Sequence, residues 1–183
     1  MKLTIASKIT IVRICLIPIF VACYYLCDGV AGIVAPTLIF VIASMTDWVD
    51  GYLARSRNEV TNFGKFMDPI ADKLLVASAF VLLVGDGRMS AVSCIIILSR
   101  EFIISGFRLI AADQRVVLAA GWLGKIKTVT QIIAIILLLL DNFPFSYIGV
   151  PMHRIMEGVA VFFTIWSGVD YIVKNRSVLM DKE

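Results

Sequence analysis

Apolar residues fall in six blocks along the chain, separated by short polar breaks. The blocks run from about Ile9 to Cys27, Ile33 to Tyr52, Asp68 to Gly85, Met89 to Ile110, Lys127 to Leu140, and Ile155 to Val173. Blocks of this length predict helices long enough, or nearly long enough, to cross a hydrocarbon core of about 20 residues. Asp28-Gly29, Gly85-Asp86-Gly87 and Asp141-Asn142 supply turn signals at one side, and Asn58 to Asn62 breaks the chain at the other. Connections this short predict antiparallel neighbours. The expected architecture is an all-α membrane protein of six transmembrane helices. MKLTIASKITIVR ahead of the first block reads either as an interfacial amphipathic helix or as a basic flank.

Composition supports the same class. Of 183 residues, 60% are hydrophobic and 17% charged, and mean hydropathy is +0.91. A soluble domain could not cover that much apolar surface. The apolar residues recur along the whole chain, so a removable leader explains little of the pattern. No linker or repeat divides it, and residues 1–183 read as a single membrane domain. Nothing in the pattern points to nucleic acid.

Basic residues set the expected orientation. With the amino terminus inside, most of the 17 Lys and Arg fall on or near the cytoplasmic side; Arg88 and Arg154 fall outside and Arg100 lies mid-span. The expected location is the cytoplasmic membrane. Cys15, Cys23, Cys27 and Cys94 sit in apolar blocks without the partners a zinc site needs. His153 is the only histidine, which nearly excludes histidine metal sites and Ser-His-Asp triads; it reads as a helix-end or interface residue. Acid-base chemistry is left to carboxylates and lysines.

The carboxylates are concentrated in TDWVDGYLARSRNEVTNFGKFMDPIADKLL, residues 46 to 75. At about 100° per residue, Asp47, Asp50, Gly51 and Ala54 share one arc of a helix, with Arg55 at its edge. Asp68 and Asp72 share a face of the next, with Gly64 one turn earlier. A carboxylate at a membrane centre costs about 2.5 to 3.5 kcal/mol on insertion scales, so four of them require a compensating positive charge. Nearby Lys and Arg are one source. Hard divalent cations, which favour carboxylate oxygens, are another, and two of them would form a clamp suited to phosphoryl transfer. Gly51 and Gly64 remove bulk beside such a pocket, though helix packing also uses glycine there.

The run Asp47-x2-Asp50-Gly51-x2-Ala54-Arg55-x8-Gly64-x3-Asp68-x3-Asp72 resembles in full the signature of the CDP-alcohol phosphotransferase family, membrane enzymes of phospholipid synthesis. LIPIF at 16–20, SREFIISGFRLIAA at 99–112 and LGKIKTVTQ at 123–131 extend the likeness toward the members that use glycerol 3-phosphate. The resemblance implies that Asp47, Asp50 and Asp68 bind two Mg2+ or Mn2+ ions, with Asp72 near the second ion and acting as base. It implies that Gly51, Ala54, Arg55 and Gly64 shape the CDP pocket, and that phosphatidyl passes from CDP-diacylglycerol to the 1-hydroxyl of glycerol 3-phosphate. It also implies a homodimer.

The acceptor's dianionic phosphate needs fixed cations. Arg108, Lys125 and Lys127 are expected to supply them; ordinary cytoplasmic anchoring is the competing account. Arg55 is likewise either a phosphate contact or an anchor. Arg100 and Glu101 lie deeper, where mutual neutralisation is a sufficient reason for both, with Arg100 a further candidate for the acceptor phosphate. Glu157 has no evident role. Two alternatives remain at this level: a relative with another acceptor, such as serine, inositol phosphate or phosphatidylglycerol, and a small cation transporter, against which the absence of an inverted repeat argues.

Overall fold

The computed structural model describes residues 5–57, 62–114, 116, 118 and 121–176, with side chains placed for 10–46, 67, 70–114, 116, 118 and 121–176. Every long element among them is a helix: α1 Ile5–Leu26, α2 Gly29–Arg57, α3 Asn62–Gly85, α4 Ala91–Asp113, α5 Trp122–Leu139 and α6 Met152–Lys174. A short 3-10 turn, Phe145–Ile148, lies between the last two. The six expected blocks correspond one to one with these helices. Ile5 to Arg13 are continuous with the rest of α1.

The helices extend past the apolar blocks, chiefly at polar ends. α3 begins at Asn62 and α2 continues to Arg57, so all four aspartates of the signature lie on helical backbone. Among the described residues three helices contain windows long and apolar enough to cross a membrane, Gly29–Thr46, Trp122–Leu139 and Met152–Lys174, and Thr10–Leu26 is a shorter apolar stretch. The chain is a multi-pass membrane protein by this measure. Large exposed side chains such as Val34, Leu38, Ile95, Phe102 and Phe162 are those expected to face lipid.

The chain forms two compact units, one of Met1–Gly85 with Leu139–Asp141, the other of Asp86–Leu138 with Asn142–Glu183. In the first, α1 packs against both α2 and α3. Among the described side chains of α1 the buried ones are Thr10, Arg13, Ile17 and Phe20, a stripe at the three-to-four-residue spacing of one helix face. Phe20 meets Phe40 of α2 with ring centroids 6.1 Å apart. On α2 the buried face runs through Phe40 and Ala43, and on α3 through Ala71, Leu75 and Ala79. Small residues on these faces let the backbones approach closely, which is how helices associate where no water drives them together.

In the second unit α4 packs on α6. Ile104, Phe107 and Ala111 of α4 close on Tyr171 of α6, with Leu118 and Ile172 against them. The segment before α6 is fixed by Asn142, a buried residue at φ 66°. Asparagine tolerates this left-handed conformation better than most residues. Its Nδ2 donates to the Val150 carbonyl at 2.8 Å and its Oδ1 accepts from the His153 amide at 3.0 Å.

Candidate active site

The signature spans α2 and α3 of the first unit. The side chains of Asp47, Asp50, Gly51, Ala54, Arg55, Gly64 and Asp68 lie outside the described residues. Asp72 is described and is half-buried on α3. Among the described residues no group of three or more metal-ligating side chains occurs. The donor set in the sequence consists of carboxylates without thiol or imidazole, chemistry that fits a hard divalent cation.

Arg13 belongs to the same unit. It is 1% exposed, and α1 packs on both aspartate-bearing helices. A cation buried this fully is retained where anionic or polar groups surround it.

The candidate acceptor residues lie in the second unit, and the structure sorts them. Lys127, near the start of α5, is buried and makes an ion pair with Oε1 of Glu101 on α4. Arg100 Nη1 lies 3.4 Å from that same oxygen. Arg100 Nη2 donates to Ser167 Oγ of α6 at 3.2 Å, and its Nε is buried without a hydrogen-bond partner. Three helices thus contribute to one largely enclosed cluster in which two cations share one carboxylate. Burying such groups is tolerable only with this kind of mutual pairing.

Arg108 lies two turns further along α4, close enough for its charge to act on Arg100. Its Nε donates to the Tyr171 hydroxyl at 3.2 Å, with the guanidinium carbon 5.4 Å from the ring centroid. Tyr171 in turn packs edge-on against Phe107 at 5.8 Å. The ring is therefore a buried platform that aims an exposed guanidinium. Lys125 points elsewhere: two residues from Lys127 on a helix is about 200° around the axis. It is exposed, with Nζ 5.0 Å from the centroid of the Trp122 ring. Arg100, Lys127 and, nearby, Arg108 are brought together; Lys125 is not.

Two groups escaped the sequence reading. Ser167 and Tyr171 look ordinary in an apolar helix, yet Glu157, Ala160, Thr164, Ser167, Gly168 and Tyr171 are the buried residues of α6. Their recurrence every three or four positions is the signal that could have found them. The same stripe pairs with α5, where Gln131 Nε2 donates to Thr164 Oγ1 at 3.0 Å. Glu157 also acquires a role. Its Oε1 accepts from the Ser90 amide at the start of α4 at 3.0 Å, and its Oε2 accepts from Arg154 at 3.2 Å. It ties the start of α6 to the start of α4.

Comparison with known proteins covers nearly the whole chain. A family model described as CDP-alcohol phosphatidyltransferase matches residues 3–166. A protein of Bacillus subtilis (strain 168) named CDP-diacylglycerol–glycerol-3-phosphate 3-phosphatidyltransferase is 48% identical over 184 residues, covering 94% of this chain and 95% of its own. A protein of the same name from Salmonella paratyphi A is 39% identical with 100% of both chains covered. Another, from Rickettsia felis, is 38% identical over 90% of this chain and 91% of its own.

Proposed function

We propose that this chain, which belongs to the CDP-alcohol phosphatidyltransferase family, moves the phosphatidyl group of CDP-diacylglycerol onto the 1-hydroxyl of sn-glycerol 3-phosphate. The products are phosphatidylglycerophosphate and CMP. The observation that carries the reading is the likeness, end to end, to proteins named for that reaction. The cations of the second unit, Arg100, Arg108 and Lys127, support it, because an acceptor that already bears a phosphate requires them.

Asp47, Asp50, Asp68 and Asp72 would hold two divalent cations, Mg2+ or Mn2+. When bound, such ions neutralise a pyrophosphate and stabilise the charge on departing CMP. The chain's own groups do the rest. Asp72 takes the proton of the acceptor 1-hydroxyl as that oxygen bonds to the phosphorus carrying diacylglycerol and the bond from phosphorus to CMP breaks. Gly51, Ala54 and Gly64 leave room for the nucleotide and Arg55 reaches its phosphates. Arg100, Arg108 and Lys127 receive the acceptor phosphate, and Lys125 adds positive charge at the membrane surface. The protein acts in the cytoplasmic membrane, as a homodimer, with these residues toward the cytoplasm.

The reading is tested by CMP release from purified protein given CDP-diacylglycerol, after chelation and after return of Mg2+ or Mn2+. Release should require both the metal and glycerol 3-phosphate. Equal release with serine or inositol phosphate would overturn the acceptor assignment.

A further inference from the structure

We infer that Glu101 is a positioning residue for acceptor binding, the anion that holds Lys127 in place beside Arg100. The inference rests on the acceptor reading given above and adds to it a group that touches no substrate.

The geometry is specific. One carboxylate oxygen, Oε1, takes both Lys127 of α5 and Arg100 of α4, whose nitrogen lies 3.4 Å away. All three side chains are largely enclosed, with exposures of 7% for Lys127, 14% for Arg100 and 18% for Glu101. The cluster contains two positive charges and one negative, so it retains a net positive charge. Its one buried nitrogen without a partner, Arg100 Nε, is a donor. A site with surplus positive charge and a spare donor is suited to an anion.

Two opposing effects would follow from loss of the Glu101 charge. Raising the cluster from one net positive charge to two would strengthen its pull on a phosphate. Against this, an enclosed ammonium that loses an ion-pair partner is less well compensated for its lost hydration, and it responds by swinging out toward water. Lysine follows that course more readily than arginine, since its stem is flexible and its ammonium is the more strongly hydrated. For Lys127, which the fold encloses almost entirely, the second effect wins. Glu101 therefore supports phosphate binding although it bears the same sign as the phosphate. Ser167 assists by taking Arg100 Nη2 at 3.2 Å, which holds the guanidinium against α6.

The experiment compares Glu101→Gln, Lys127→Met and the double variant in the full-length protein, reading KM for glycerol 3-phosphate, KM for CDP-diacylglycerol and kcat. Glu101→Gln should raise the acceptor KM about tenfold or more, the worth of a charge-assisted contact, with the donor KM unchanged. The double variant should be no worse than Lys127→Met alone, because Glu101 acts through Lys127. Glu101→Asp, which keeps the charge, should recover part of the loss, and it serves as the test if the Gln variant does not accumulate. An unchanged or lowered acceptor KM in Glu101→Gln, additive effects in the double variant, or donor and acceptor KM rising together would overturn the inference. If Lys127→Met itself leaves the acceptor KM unchanged, the acceptor reading fails instead.

Discussion

Gly168 of α6 lies flat against Arg100 of α4: a Cβ at position 168 would stand 3.1 Å from Arg100 Cγ. That separation is tighter than an ordinary carbon contact, so any side chain at 168 displaces the arginine stem by a few tenths of an ångström. The guanidinium is fixed at its far end by Glu101 and Ser167 and has little freedom to yield. Gly168→Ala should therefore raise KM for glycerol 3-phosphate by about three- to tenfold, since small misplacements of binding groups are costly. Steady-state kinetics with varied acceptor reads this directly; an unchanged KM would show that Arg100 does not take part in acceptor binding.

Tyr171 gives a graded test of Arg108. Tyr171→Phe removes the hydroxyl that accepts from Arg108 at 3.2 Å while keeping the ring against Phe107. Because Arg108 is exposed, the loss should be modest, about two- to fivefold in acceptor KM, with thermal stability unchanged. Tyr171→Ala also removes a buried aromatic from the α4–α6 core and should cost about 3 to 5 kcal/mol of stability. A thermal melt in detergent separates the two variants.

Lys125 and Lys127 should differ although the sequence offers them as a pair. Lys127→Met is expected to raise the acceptor KM at least about tenfold, whereas Lys125→Ala should change it by no more than about twofold, in line with a solvent-exposed charge. Equal effects would mean that the burial of Lys127 has no bearing on the acceptor.

Glu157 should matter to stability and not to kinetics. Glu157→Gln weakens its contacts with the Ser90 amide and with Arg154, so the melting temperature should fall, by the equivalent of about 1 to 3 kcal/mol. KM for both substrates should stay at the native value. A selective rise in one KM would contradict the structural role.

Most of the architecture was legible in the hydropathy pattern. The six blocks gave six helices because apolar periodicity is decided locally. Helix ends were less legible: Asn62 to Met67 precede the block that begins at Asp68, yet they are helical, because helix formation depends on backbone and propensity rather than on apolarity. The aspartate signature could be read because its residues lie close in sequence at fixed helical offsets. The role of Glu101 could not, since Lys127 lies 26 residues further along and Ser167 belongs to another helix again. The sorting of Lys125 from Lys127 needed only helical geometry, and the two-residue spacing already contained it.

Asp72→Asn tests the assignment of the base. A positioned base is worth about 100- to 10,000-fold in rate, so CMP release should fall by that order while the protein stays folded and monodisperse. A variant that keeps more than about a tenth of the native rate would place the proton acceptor elsewhere.

Identifying the lipid made by purified protein from CDP-diacylglycerol and glycerol 3-phosphate probes the reaction at its outcome. Mass spectrometry should find one lipid species bearing two phosphate groups, formed in equal amount with CMP. A lipid bearing one phosphate, or CMP released without a new lipid, would contradict the transfer proposed for this chain.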